Sequence, residues 1–274
     1  MTGPMLGEYP AGPAHPALAG DVVAYCGYVE HSPVPVRRRE LPGPRVPVII
    51  SFGDVLSVRS AGGGVTGELS SFVAGFHDTF SVTEFVGGQC GLQVDLTPLG
   101  AHRLLGLAGD DLRHGSVRLS DVVGRRDADD LVGRLVEAPD WASRFALADA
   151  FLLRRAQAAP TVDPEVGWAW ERLCRTGGRL RVGTLAAEVG WSRRHLAGRF
   201  RRQVGLGPKE AARVLRFARA VRLLGTAPSL SDLAADLGYA DHSHLVREFR
   251  ALAGCPPSQL AAELRGEPVS AQVT

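Results

Sequence analysis

Two stretches in the last third of the chain carry the same pattern, and this duplication constrains the fold more than any other feature. Leu185-Ala186-Ala187-Glu188-Val189-Gly190-Trp191 is matched by Leu233-Ala234-Ala235-Asp236-Leu237-Gly238-Tyr239 at an offset of 48. The match resumes at Leu196 and Leu245, Phe200 and Phe249, Arg201 and Arg250, Gly205 and Gly254, and Pro208 and Pro257, now at an offset of 49. One residue is therefore added in the turn after Gly238. Two copies are fewer than the three or so that a solenoid needs, so the repeat reads as a pair of units rather than an array.

Each copy has the pattern of a helix-turn-helix. Small residues (Ala186, Ala187; Ala234, Ala235) allow a second helix to cross closely, and Gly190 or Gly238 supplies the positive φ of a sharp turn. Leu and Phe spaced four apart then place one apolar face on the second helix. Asp163-Pro164 reads as a helix start, and Ser229-x-x-Asp232 as a variant of the capping box. Between the copies, Pro208 to Leu224 reads as one helix ending at Gly225, roughly 25 Å long at about 1.5 Å per residue. Such a helix suits two units set on successive major-groove turns, about 34 Å apart.

A plain helical bundle could also repeat, and a basic block could be a solvated Arg-rich surface; it is the duplicated turn, the small-residue crossing and the basic block together that favour DNA binding. Arg175 to Arg222 holds 13 basic and 2 acidic residues, whereas the rest of the chain has a balance of −9. A basic block in an acidic protein points to a polyanion. The region from about Asp163 to Arg265 resembles the AraC/XylS-type DNA-binding domain, through the first motif with Ser192, His195-Leu196 and Phe200-Arg201. In the second unit the resemblance rests on Leu233-Ala234, Gly238-Tyr239, Asp241-His242-Ser243-His244-Leu245, Arg247, Phe249-Arg250 and Gly254-x-Pro256-Pro257. It implies seven helices, with two recognition helices at about 192–204 and 241–253 entering adjacent major grooves, and a bacterial transcription regulator.

With Leu196 and Phe200 inward, Arg194, Gly198 and Arg201 point outward; in the second helix Ser243, Arg247 and Arg250 do so. Ala197 and Val246 flank those faces, where an apolar group meets a thymine methyl. Arg247 suits guanine O6 and N7, while Arg201, Arg202 and Arg250 suit phosphates. Arg193 and His242, near the two helix starts, complete the expected DNA-facing set. Relatives often carry a base-reading arginine at the position of Gly198; here the arginine is next door, at Arg199, turned to the flank.

The N-terminal half is read more coarsely. Val22 to Val29, Val46 to Phe52, Phe80 to Val86 and Leu92 to Leu96 read as strands, and Gly62-Gly63-Gly64 as an exposed loop. The pattern turns helical at Leu99 to Leu105 and at Leu119 to Gln157, with Pro139 dividing the latter and a stripe of Leu131, Leu135, Phe145, Ala148, Phe151 and Leu152. Gln93-Val94-Asp95-Leu96-Thr97-Pro98-Leu99-Gly100-Ala101 with Leu104-Leu105-Gly106 resembles the N-terminal domain of one AraC-type subgroup. That resemblance implies a degenerate cupin-like β-barrel with helices and a role in sensing or dimerisation. The fold expected is α+β: a small barrel-like domain plus helices, then an all-α domain of two helix-turn-helix units. The divisions are 1–20 as a flexible N-terminus, 21–158 as the sensing or dimerisation domain, 159–266 as the DNA-binding domain and 267–274 as a tail.

Other classes find little support. Cys26, Cys90, Cys174 and Cys255 form no C-x-x-C pair, which argues against a zinc site or redox motif and for a reduced, cytoplasmic setting. His77, Asp78 and His102 lack a His-x-His array, and His242 with His244 lacks a carboxylate or thiolate partner, so no metal is assigned. No G-x-S-x-G elbow or P-loop suggests an enzyme or a cofactor. A repair-type enzyme fused to the DNA-binding module would need a reactive cysteine in a basic pocket. The partners expected are double-stranded DNA, with RNA polymerase, a small-molecule effector and a second copy of the chain as further candidates, and no membrane.

Overall fold

A computed structural model describes residues 6–61, 67–109, 111 and 115–266 of the chain. The N-terminal half contains one antiparallel sheet of nine strands. These are β1 (Leu6–Glu8), β2 (Ala11–Gly12), β3 (Val22–Glu40), β4 (Val46–Ser51), β5 (Leu56–Ser60), β6 (Gly67–Leu69), β7 (Phe72–Ala74), β8 (Ser81–Leu96) and β9 (Ser116–Arg118). Its spine is β3 against β8, with Val29 opposite Cys90 and Arg39 opposite Val82. The far edge of β8 pairs with β5 near its start and with β4 near its end. β7 and then β9 continue outward from β4.

The two runs expected at Phe80–Val86 and Leu92–Leu96 are one strand. The glycines between them do not end it: Gly87 takes a φ of +90°, and a Cβ on Gly91 would lie 2.3 Å from the Tyr28 hydroxyl. Residues 6–20, expected to be a flexible lead-in, instead add β1 and β2 to the outside of β3, with Gly7 opposite Glu30 and Ala11 opposite Cys26. Prolines 10, 13 and 16 fall between or after these short edge strands, where no ladder donor is needed. The triple glycine at 62–64 and the tail at 267–274 lie outside the described residues.

Strict alternation gives the sheet two different faces. Val46, Val48 and Ile50 of β4 and Leu92, Val94 and Leu96 of β8 are buried against helices. These helices are α1 (Pro98–Leu105), α2 (Leu119–Val123), α3 (Arg125–Glu137) and α4 (Trp141–Ala156). The expected stripe lies here: Leu131, Leu135, Ala148, Phe151 and Leu152 are buried, and Phe145 stacks on Tyr25 at 5.8 Å. Thr97 and Asp140 cap α1 and α4 by accepting from the Gly100 and Ser143 amides. The long helical run is broken at Gly124, with φ +88°, as well as near Pro139.

Seven helices follow: α5 (Pro164–Thr176), α6 (Val182–Glu188), α7 (Arg193–Val204), α8 (Pro208–Leu223), α9 (Leu230–Asp236), α10 (His242–Ala253) and α11 (Pro257–Gly266). Two cores divide them. Leu185, Leu196, Phe200, Val214 and Leu215 share one continuous core with the sheet and α1–α5. Phe217, Leu233, Leu237, Leu245, Phe249, Leu252 and Leu260 form a second. The connecting helix α8 contributes its first half to one core and its second half to the other.

Candidate DNA-binding surface

The two duplicated units share the same local geometry. Gly190 and Gly238 adopt φ of +72° and +74° after α6 and α9. Ser192 caps α7 by accepting from the His195 amide, and Asp241 caps α10 by accepting from the His244 amide. In each unit a histidine of the second helix stands edge-on to the aromatic residue of the turn: His195 on Trp191 at 4.5 Å, and His244 on Tyr239 at 5.3 Å. These contacts lock the angle between helix and turn. They also give His244 a packing role, together with the hydrogen bond its Nδ1 accepts from the Ala240 amide.

Leu196, Phe200, Leu245 and Phe249 are fully buried. The opposite faces carry Arg193, Arg194, Gly198, Arg201 and Arg202 on α7 and His242, Ser243, Arg247 and Arg250 on α10, all exposed; Ala197 and Val246 are half-buried beside them. The ion pairs sort the arginines further. Among the described residues, none of Arg193, Arg194, Arg201, Arg202, Arg247 and Arg250 makes a salt bridge, whereas Arg172, Arg199 and Arg213 do. Arg199 grips Asp163 with two donors, which holds that carboxyl below the usual carboxylate range. Asp163 thus occupies the expected N-cap position of α5, but its side chain serves this pair and caps no amide of the helix.

The comparison with family models agrees with this geometry. The family model HTH_18, described as a helix-turn-helix domain, matches residues 185–263. Residues 185–263 are an AraC-type helix-turn-helix domain. No curated protein sequence matches the chain. Among solved structures, ToxT from Vibrio cholerae O395 is 13% identical with a TM-score of 0.50, covering 86% of this chain and 96% of its own, and shares the fold. The C-terminal domain of AraT, a response regulator from Geobacillus stearothermophilus, is 19% identical over 40% of this chain and 92% of its own, with a TM-score of 0.36. The AraC-like transcriptional activator CuxR is 13% identical over 81% of each chain, with a TM-score of 0.35. The chain therefore carries a DNA-binding helix-turn-helix domain over residues 185–263.

The sheet grips the AraC-type domain at several places that sequence reasoning missed. Phe76 enters the first unit edge-on to Trp170 at 5.8 Å. Asp78 pairs with Arg213 of α8 at 3.2 Å, and the same guanidinium reaches Glu248 of α10 at 3.0 Å. Arg39 of β3 donates to the Ala253 carbonyl at 2.5 Å and to Glu263 at 3.1 Å, with its guanidinium over the Phe80 ring at 5.1 Å. The spacing of Phe76 and Phe80 around a His-Asp pair, in a segment starting at Gly75, was the available signal. His77, Asp78 and His102 do not converge: Asp78 meets Arg213, and His102 Nδ1 lies 2.8 Å from the Leu107 carbonyl oxygen.

The other face of the sheet lines a cavity of about 260 Å³ that is also walled by the β3–β4 connection at 41–45 and by α8, through Phe217, Ala218, Val221 and Arg222. Ten polar or charged residues are buried among those described, and six of them (Glu30, Ser81, Thr83, Gln89, Asp95, Ser116) line this space. Buried polar groups are uncommon enough in a core to mark the cavity as built for polar contact. Burial pushes the thiols of Cys26, Cys90 and Cys255 up, opposite to what a nucleophilic cysteine needs. Among the described residues no helix is long and apolar enough to cross a membrane.

Proposed function

We propose that the chain is a sequence-specific regulator that reads two adjacent major-groove segments with α7 and α10, under control of a small molecule bound by its N-terminal half. The observation that carries the reading is the sorting of arginines: six exposed on two capped helices make no salt bridge among the described residues, while their neighbours are committed to carboxylates. Unpaired guanidinium groups are what phosphates and guanine edges require. Arg247, on the N-terminal half of α10, is assigned to base reading, with His242, Ser243 and Val246 beside it. Arg201, Arg202 and Arg250, farther along their helices, are assigned to phosphates. In the first unit Arg193, Arg194 and Ala197 supply the contacts that Gly198 cannot. The divisions near residues 158 and 266 are adopted as domain limits, and no catalytic role is assigned to either half.

The test is selection of binding sites from a randomised duplex pool by the full chain, followed by affinity against salt. Two enriched half-sites about 10 base pairs apart are expected. A slope of log affinity on log salt near about −5 is expected if five or six phosphates are neutralised. Uniform recovery of all sequences would overturn sequence-specific reading, and enrichment of a single half-site would overturn base reading by one unit.

The cavity is the proposed effector site. It is concave, mixed in polarity and closed by the helix that joins the two DNA-binding units.

A further inference from the structure

Resting on the reading of the cavity as an effector site, we infer that it takes an uncharged small molecule with an apolar body and hydrogen-bonding groups, and that the strap Gly75–Phe80 carries its occupancy to the DNA-binding helices.

Of the six carboxylate and guanidinium side chains lining the cavity, all but Arg222 have a charged or polar partner among the described residues. Arg38 donates to both oxygens of Glu30 at 2.8 and 2.9 Å, and Tyr9 also donates to Glu30. Asp95 accepts from Arg45 and Gln93, each at 2.8 Å. Glu40 accepts from the Thr83 hydroxyl at 2.8 Å. The third lining arginine, Arg222, is exposed. An anionic ligand would set its charge beside three carboxylates, and a cationic one beside Arg38 and Arg45. Either would disturb a pair that loses its partner at low dielectric. Ile49, Leu56, Val58, Phe72, Phe85 and Phe217 offer the apolar surface for the body of the ligand.

One lining group is uncommitted. His77 Nδ1 is closed to solvent and has no hydrogen-bond partner among the described residues. Burial lowers the pKa of His77, so the neutral ring faces the ligand with a nitrogen to offer. Phe76 and Asp78 on either side of His77, and Phe80 beyond, reach the DNA-binding half. Phe76 packs on Trp170 of the first unit, Asp78 pairs with Arg213 of α8, and Phe80 lies against Gly254 at the end of α10, where an added Cβ would meet its ring at 2.5 Å. Within five residues of chain, Phe76, His77, Asp78 and Phe80 thus touch the cavity, both units and the helix between them. A ligand that draws on His77 moves the attachment points of its neighbours. Arg213, shared by Asp78 and Glu248, passes that movement to α10.

The test uses the full chain and three probes with one aliphatic body: octan-1-ol, octanoate and octylammonium. Binding is measured by calorimetry, strap protection by hydrogen exchange of residues 75–80, and DNA affinity by anisotropy on the selected duplex. Octan-1-ol is expected to bind at least tenfold more tightly than either charged probe, to alter exchange of the strap, and to change DNA affinity at least threefold. His77→Ala should weaken octan-1-ol at least fivefold. Asp78→Asn, outside the cavity, should keep the alcohol's affinity and lose its effect on DNA. A charged probe that binds as well as the alcohol would overturn the ligand class. A full DNA response in Asp78→Asn would overturn the strap as the path. If no probe binds while DNA binding is normal, the effector reading of the cavity itself falls. Ala74→Phe, which fills the cavity, and Ala218→Phe, which fills it from α8, should each abolish probe binding. Undiminished binding in both, with melting unchanged, would place the probe elsewhere.

Discussion

Phe200 and Phe249 occupy equivalent places in the two units and are equally buried, yet their truncation should have different consequences. Phe249 is fully buried and stands edge-on to Phe217 with ring centroids 5.0 Å apart. Truncation of such a residue to alanine removes about 3–5 kcal/mol, in which the lost aromatic pair is a part of about 0.5–1.5 kcal/mol. The core it leaves is built from α9, α10, α11 and the second half of α8, with Leu41 packed against it. A unit of that size rarely has more than about 3–5 kcal/mol of its own. Phe249→Ala should therefore leave the second unit largely unfolded at 25 °C while the sheet and first unit persist. Phe200→Ala removes a similar amount from the core shared by the first unit and the sheet, so it should lower one large transition without a separate early one. Hydrogen exchange read by mass spectrometry separates the cases. In Phe249→Ala, protection should vanish over 230–263 and survive over 46–51 and 164–204. Equal loss in the sheet and in α10 would refute the division into two cores, and with it the expectation that this variant selects only one half-site.

Other outcomes follow from the same contacts. Arg247→Ala should lose about 1–3 kcal/mol of binding on the selected sequence and relax preference at one base pair; equal loss on every sequence would make it a phosphate contact. Gly198→Arg should tighten DNA binding and raise the melting temperature, because a Cβ there meets nothing within 4 Å and glycine inside a helix costs up to about 1 kcal/mol; weaker binding in a gel-shift titration would contradict this. Asp163 is held below its ordinary value by Arg199, so the unfolded chain takes up that proton first. Its stabilisation is complete above about pH 4 and is lost as pH falls through the lower native value. Urea midpoints of the wild type and Asp163→Asn should therefore converge as pH drops below about 4, and a constant gap would remove the pair from the account.

What could be read in advance was local. The cap at Ser229, the turn glycines and the Leu-Phe spacing act within a few residues of one another, and the helices that they define stand close to where the sequence places them. The sheet was harder to read, because Gly87, Gly88 and Gly91 resemble turn signals, and only the folded structure shows that Tyr28 and Ile50 occupy the space a side chain at Gly91 would need. The cavity escaped notice for a related reason. Glu30, Gln89, Gln93 and Asp95 have the alternation of a strand's solvent face, and only the placement of α8 across them turns that face inward. Arg199 and Arg201 are alike in sequence; a partner 36 residues away, Asp163, separates the structural arginine from the exposed one.

The two DNA-binding units are attached to the sheet by different physics, and this asymmetry suits regulation. The first shares a continuous apolar core with α1–α4, in which Phe76, Trp170 and Phe200 form a chain of ring contacts at 5.8 and 6.4 Å. Separating it would expose large apolar surface at roughly 25 cal/mol per Å². The second is tied chiefly by polar groups: Arg39 to Ala253 and Glu263, and Arg213 between Asp78 and Glu248. Partly exposed ties of this kind are each worth about 1 kcal/mol or less. A ligand that shifts the strap by a few hydrogen bonds has a free energy of that same order. It is large enough to reset the orientation of α10 and too small to detach α7. Under the proposed reading, control of DNA binding through this fold should therefore act on the half-site assigned to α10, with the half-site assigned to α7 as the fixed anchor.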